Sequence, residues 1–468
     1  MKNVADVYHL TPVQRELLQD PHSARVVQVR RKFSGELDSE AFERAWQQLS
    51  AGHAILRTCF LTAELKEPVQ VVRQQVKLVY ERYDLGGIDP EQQRLELEDL
   101  LRMDRRREFD PARAPLFRVM EVRLNGSSFE IVLSHYPVLL DEQSVKLIFE
   151  EVLDGYREDA PAYRDYVTWV ERQDLSGAER YFRNSVVSST NQNRDTGAVA
   201  SRALGFSSKQ TKSLHRFARS AGVSIETLIT GAWALALMRE RDCGEISLGI
   251  SVAGRPRTLP QSQQLAGLFS NVLPLSLSLS EQPLSGWLLN VERKRAKVQR
   301  YAHVSREQIR NWVGLTSDAP LFDATIVFHE PSDEIIFTSR AAVESPLCLE
   351  VALGDELGLQ IHATGSNAER TSIGLIERVE QALGSFMFPL SVEVEPAQIK
   401  ELDPALEFSL FYFADDNAGY GEDKYRLYRE GAIFADRNGL TAVWTPERHF
   451  HEKAGLYPNP SVLSAALA

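Results

Sequence analysis

Cysteine is scarce in this chain: there are three in 468 residues, Cys59, Cys243 and Cys348. An odd number argues against a disulfide framework, and their scatter argues against a thiolate metal site, so a reducing cytoplasm is the expected setting. Long hydrophobic runs are missing too. Nothing approaches the ~18 apolar residues of a membrane-crossing helix, and the longest contender, GAWALALM (231–238), ends in charge. The opening MKNVADVYHL has no apolar centre, so no secretory leader is expected. Positive charge is also in deficit. With 53 Lys and Arg against 65 Asp and Glu, the net charge is −12, which argues against nucleic acid and anionic membrane as partners. The Arg-dense stretch RMDRRRE (102–108) reads as a solvated helix face rather than an anion site.

What is present is ordinary for a globular protein, 43% hydrophobic and 25% charged, and the length suggests about three domains. In DSEAFERAWQQL (38–49), Asp38 is placed to cap a helix whose Phe42, Ala45, Trp46 and Leu49 share one face. LRTCF (56–60) reads as a short strand and residues 91–103 as a second helix. Residues 117–124 and 129–133 read as a hairpin turning at Asn125-Gly126. The polar stretch SVVSSTNQNRDTGAVA (185–200) reads as a linker. Beyond it come helices at 209–221 and 224–240, then the strand-like runs EISLGISV, VLPLSLSL, ATIVFHE, LCLEVAL and LGLQIHA. Interleaved strands and helices make the class mixed α/β.

Composition changes again after Asp403-Pro404. EFSLFYFAD and LTAVWTPE read as strands around a helix at 423–438 that ends at Gly439, and a further helix starts after Asn459-Pro460. Strand–helix–strand–helix suggests parallel pairing, and two strands cannot close a barrel. Residues 405–468 therefore read as the opening of a domain whose remainder is missing. The ten histidines show no metal-ligand spacing except at His449 and His451, and no metal is expected.

The stretch with the most chemical promise is FEIVLSHYPVLLDEQSVKLIFEEVL (129–153). It alternates like a strand as far as Leu133 and resumes as an amphipathic helix that Ser144 is placed to cap, with Val145, Ile148, Phe149 and Val152 facing inward. His135 and Asp141 fall in the turn between. A histidine pKa near ~6.5 suits proton transfer at neutral pH, whereas Asp141 could simply cap the helix.

Across residues 1–403 the sequence resembles the condensation-domain superfamily of nonribosomal peptide synthetases. The resemblance is carried, in the family's order, by YHLTPVQRELL (8–18), GELDSEAFERAWQQLSAGHAILRTCF (35–60), FDPARAPLFR (109–118), YRDYVTWVERQD (163–174), AGRP (253–256), GLFSNVLPLSL (267–277) and ESPLCLEV (344–351). It implies two chloramphenicol-acetyltransferase-like lobes in a V, expected here at 1–180 and 181–403, with GLFSNVLPL (267–275) and residues 323–330 in the second lobe. It also implies a tunnel that admits phosphopantetheine arms from two carrier proteins, and neighbouring synthetase domains as further partners. Residues 404–468 resemble the start of luciferase-like flavin monooxygenases, through EFSLFYFADD (407–416) and residues 423–468. That resemblance implies a truncated (β/α)8 barrel. It sets His449 of TPERHF beside the flavin of a complete domain; in this chain His449 reads as a loop residue, and FMN is expected only for the complete domain.

The family motif HHxxxDG carries the chemistry. Aligned from the right, Asp141 takes the aspartate position, Glu142 the glycine, Pro137 the second histidine and Tyr136 the first. The resemblance implies that the second histidine positions or deprotonates the attacking amine, and that an arginine of the other lobe, here Arg255, holds the aspartate. Two readings stand. In one, a backbone adjustment lets His135 act as the base of an active peptide-bond former. In the other, the motif is degenerate: two residues of extended chain displace a side chain by roughly 6–7 Å, and proline transfers no proton. The degenerate reading is favoured. It makes the domain a docking platform that presents carrier-bound substrate to a tailoring monooxygenase; an inert spacer is the remaining alternative.

Overall fold

The computed structural model describes residues 3–20, 26–62, 65–154, 161–186, 199–279, 282–316, 319–329, 335–337, 346–387, 409–411 and 442–444. The chain divides into two compact units, Met1–Pro389 and Leu390–Ala468.

The first half of the larger unit runs β1 (Val4–His9), α1 (Pro12–Gln19), β2 (Val27–Ser34), α2 (Ser39–Gly52), β3 (Thr58–Leu61), β4 (Val69–Arg73), β5 (Tyr80–Asp84), α3 (Pro90–Arg105), β6 (Phe117–Arg123), β7 (Ser128–His135), α4 (Glu142–Asp154), α5 (Tyr163–Glu171) and α6 (Ser176–Ser185). Local chemistry sets the boundaries. The Asp38 carboxylate accepts the Glu40 and Ala41 N–H groups at the start of α2. Gly126 supplies the positive φ, 68°, of the β6–β7 turn. Trp46 of α2 is fully buried, its ring 6.3, 6.5 and 5.8 Å from those of Phe42, Phe117 and Phe149, which joins helices and sheet in one core.

The second half continues β8 (Val199–Gly205), α7 (Ser208–Ser220), α8 (Ile225–Arg241), β9 (Glu245–Val252), β10 (Asn271–Ser278), α9 (Leu284–Gln299), α10 (Arg306–Val313), β11 (Ala324–His329), β12 (Ile335–Phe337), β13 (Leu347–Ala352), β14 (Gly358–Thr364) and α11 (Ala368–Met387). Its sheet has the order β10-β9-β11-β13-β14-β8, parallel at β9–β11 and β11–β13 and antiparallel elsewhere. The apolar run GAWALALM lies in α8, inside the second core. A Cβ on Gly231 would come within 2.8 Å of Leu288, so α8 and α9 are in close contact there. Among the described residues, no single helix is long and apolar enough to cross a membrane.

The two halves interlock. After β11 the chain adds β12 to the other half's sheet, whose order is β12-β2-β7-β6-β5. Between β9 and β10, Leu265, Ala266, Leu268 and Phe269 are buried in the first core. The stretch GLFSNVLPL, expected in the second lobe, is therefore divided: its first residues fill the first core and the rest lie in β10. The reason is steric as well as apolar. Gly267 lies so close to Tyr163 that a Cβ would stand 2.1 Å from the ring. Helix α6 contributes Ala178 and Phe182 to the second core.

In the smaller unit, Ser409–Phe411 (β15) and Ala442–Trp444 (β16) pair in parallel. The helix expected at 423–438, His449 and most of the 185–200 linker lie outside the described residues.

Candidate functional site: the β7–α4 turn and its cavity

His135 is not in the turn, where the sequence placed it. It is the last residue of β7, paired with Val27 on one side and Phe117 on the other, and those two ladders extend the strand past Leu133. The side chain is buried, and its Nδ1 lies 3.0 Å from the Tyr136 carbonyl oxygen. Tyr136 donates its backbone N–H to Leu116 O at 2.9 Å and packs its ring near Phe60, with centroids 6.4 Å apart. Tyr136 and Pro137 are both buried, and neither borders the cavity described below.

At the other end of the turn, Asp141 rather than Ser144 caps α4. Its Oδ1 accepts the Ser144 N–H at 2.8 Å, and Val145 N–H reaches the Asp141 carbonyl at 3.0 Å. An aspartate just before the first helical residue reaches the free N–H groups, whereas Ser144 already lies inside the helix. Asp141 is also held across the halves. Arg255 Nη2 donates to Oδ1 at 3.1 Å, and the Phe269 and Ser270 N–H groups donate to Oδ2 at 3.2 and 3.3 Å. Arg255 Nη1 donates to the carbonyls of Ser262 and Leu265 at 2.8 and 2.6 Å, and its guanidinium lies 4.0 Å from the Phe269 ring centroid. The two side chains are 3% and 2% exposed, so the charges are sheltered and richly hydrogen-bonded, as a buried pair requires. Gly254 allows this loop: it has φ +67°, and a Cβ there would overlap Phe269 O. Helix capping and the Arg255 contact, alternatives in the sequence, are both made.

Glu142, the next residue, makes a bond no motif spacing indicated. Its Oε1 lies 2.8 Å from Nδ1 of His329, at the end of β11. His329 Nε2 is 4.0 Å from Glu350 Oε2, which is 3.4 Å from His362 Nε2. Burial alone would lower the His329 pKa; the Glu142 hydrogen bond and the charges of Glu142 and Glu350 overcome this, despite Lys146, and the net pKa is raised. No sequence signal joins positions 187 apart.

These groups border one cavity of about 440 Å³ between the halves, lined by His135, Asp141 and Glu142 on one side and by Ser270, Arg295 and His329 on the other. It has the size and mixed lining of a small-molecule site. Arg295 Nη1 donates to the hydroxyls of Ser224 and Thr227 at 3.2 and 2.7 Å, and burial lowers its pKa from the usual guanidinium value. Among the described residues, no group of three or more His, Cys, Asp or Glu could hold a metal ion.

Residues 4–350 match the family described as "Condensation domain". A linear gramicidin synthase of Brevibacillus parabrevis is 30% identical over 434 residues, 84% of this chain and 6% of the synthase. Surfactin synthase subunit 3 of Bacillus subtilis is 26% identical over 69% of this chain and 27% of the synthase. This chain thus spans only a small part of these curated relatives. Among solved structures, the condensation domain of the Monacolin K polyketide synthase MokA superposes with a TM-score of 0.71 at 14% identity, covering 83% of this chain and 98% of that one. The epimerization domain from the third module of tyrocidine synthetase B gives 0.65 at 15% identity, covering 83% and 98%.

Proposed function

The chain is a member of the condensation-domain family of nonribosomal peptide synthetases, and from that premise we propose that its cavity holds carrier-tethered acyl groups without condensing them through the family's motif. The partners are aminoacyl or peptidyl carrier proteins with their phosphopantetheine arms, together with neighbouring synthetase domains. The role is that of a platform that presents a tethered substrate to a tailoring monooxygenase, whose first segment residues 404–468 resemble.

One observation carries this reading. The motif's two histidine positions hold Tyr136 and Pro137, both turned into the protein core, while the cavity between the halves remains open and bordered by Asp141. A proton acceptor must come within about 2.6–3.2 Å of the amine it serves, directly or through one water. Proline carries no such group, and a tyrosine packed on Phe60 is not aimed at the cavity. The Asp141–Arg255 lock keeps the loop that forms part of the cavity wall.

The test is a pair of measurements with donor and acceptor loaded on their carrier proteins: binding of each carrier, and formation of the dipeptidyl product. Binding without product is expected. Product from the parent would overturn the platform role, and failure of both carriers to bind would leave only a spacer. A second reading has its own observation: His135 borders the cavity. It is promoted to the base if the parent forms product and H135A does not.

A further inference from the structure

Glycine at the position of Glu142, as in the family motif, would leave His329 without its 2.8 Å partner. We propose that Glu142 and His329 form a proton-operated clasp across the cavity, tying the first turn of α4 to the end of β11 and setting how freely a tethered group enters between them. This rests on the reading of the cavity as the acyl-holding site.

Both side chains line the cavity, and they come from opposite halves. Each stands on a fixed support. Glu142 follows Asp141, whose carboxylate is fastened by Ser144, Arg255, Phe269 and Ser270. His329 closes β11, where its carbonyl accepts the Leu353 N–H at 3.0 Å. The bond thus spans the cavity beside the Asp141 lock, and it lengthens only if the end of β11 shifts from the first turn of α4 or a side chain swings away. Glu142 is 39% and His329 20% exposed, so water and protons reach the pair.

The groups facing His329 decide how it titrates. Helix α4 offers Glu142 and Lys146, β13 offers Glu350, and His362 of β14 acts through Glu350. Arg295 of α9 lies over the neighbouring Phe328 ring at 5.4 Å. The two carboxylates outweigh burial and Lys146, so the imidazolium persists to higher pH than for an ordinary histidine. While protonated, His329 makes a charge-assisted bond to Glu142. Once neutral, it loses the attraction between opposite charges and keeps only an N–H bond to the carboxylate, in the tautomer that carries the proton on Nδ1. The clasp is therefore tight on the acid side of this titration and slack on the alkaline side.

Amide hydrogen exchange of the full chain at pH 6 and pH 8.5, corrected for intrinsic exchange, tests the clasp. Protection at the first turn of α4 and the end of β11 should fall by roughly threefold or more between the two pH values. In E142G and H329Q it should be low at both; E142Q, which keeps a hydrogen bond but no carboxylate charge, should fold normally and lose most of the pH dependence. Protection in the parent that ignores pH, or pH dependence surviving in all three variants, overturns the clasp. The same samples are offered an acyl thioester of N-acetylcysteamine. Faster uptake by the parent at pH 8.5 than at pH 6, with no pH effect in the variants, supports control of access; uptake indifferent to pH overturns that control. A pH-responsive clasp in a protein that takes up no probe overturns the acyl-holding reading alone.

Discussion

The two ends of the β7–α4 turn are held in different ways. At the Asp141 end, one carboxylate is surrounded by donors from the helix, the crossing loop and Arg255. At the Tyr136–Pro137 end, the two positions that the resemblance assigns to histidines hold buried residues, with the Tyr136 ring near Phe60. A few residues thus separate a carboxylate fastened across the halves from the two positions on which the proposed loss of condensation rests. The difference shows that the fold makes unequal demands on the two ends. A buried ion pair cannot lose one partner without stranding the other, whereas a base can be replaced by any side chain of suitable volume without unfolding the protein.

The comparison can be broken most forcefully at the fastened end. Asp141→Ala leaves the Arg255 guanidinium buried without its carboxylate and should cost about 3–5 kcal/mol, read by urea unfolding. A loss under ~1 kcal/mol would mean the two ends do not differ in structural weight. Next comes Gly267→Ala, which presses a Cβ into Tyr163 and should destabilise by about 1–3 kcal/mol. At the altered end, the triple exchange Tyr136→His, Pro137→His and Glu142→Gly rebuilds the motif. It should lower stability by about 1–3 kcal/mol, because an imidazole replaces a core ring, and yield no dipeptidyl product; robust product would show that only the side chains had been lost. The smallest effect concerns pH. The raised pKa of His329 contributes stability that is complete below the ordinary histidine value near ~6.5 and is lost as pH rises through the raised one. Since Glu142 is exposed to screening water, the term is at most about 1 kcal/mol, and H329Q should flatten the stability profile between pH 6 and 8.5.

Much of the local architecture was legible in the sequence. Asn125-Gly126 announced the hairpin because a tight turn demands positive φ there. The face of Phe42, Trp46 and Leu49 announced α2, and the five strand-like runs of the second half all became strands. What escaped reading depended on distant partners. His135 extends β7 only because Val27 and Phe117 flank it. Asp141 displaces Ser144 as the cap, a choice between neighbouring residues that composition alone does not make. Leu268 and Phe269 look like any buried run and declare their half only through contact with Tyr163 and Arg255. The Glu142–His329 bond left no trace in spacing, since the two residues meet only when the halves are assembled.

Strand β12 has a bearing on how such proteins can be recombined. It belongs to the second half by sequence but completes the sheet of the first, covering the edge of β2. A first half made alone would present that edge bare, a template for pairing with other chains. Exchanging halves between relatives at the sequence midpoint would therefore join a sheet to a foreign border strand. A workable graft must carry the native border strand along with the sheet it closes.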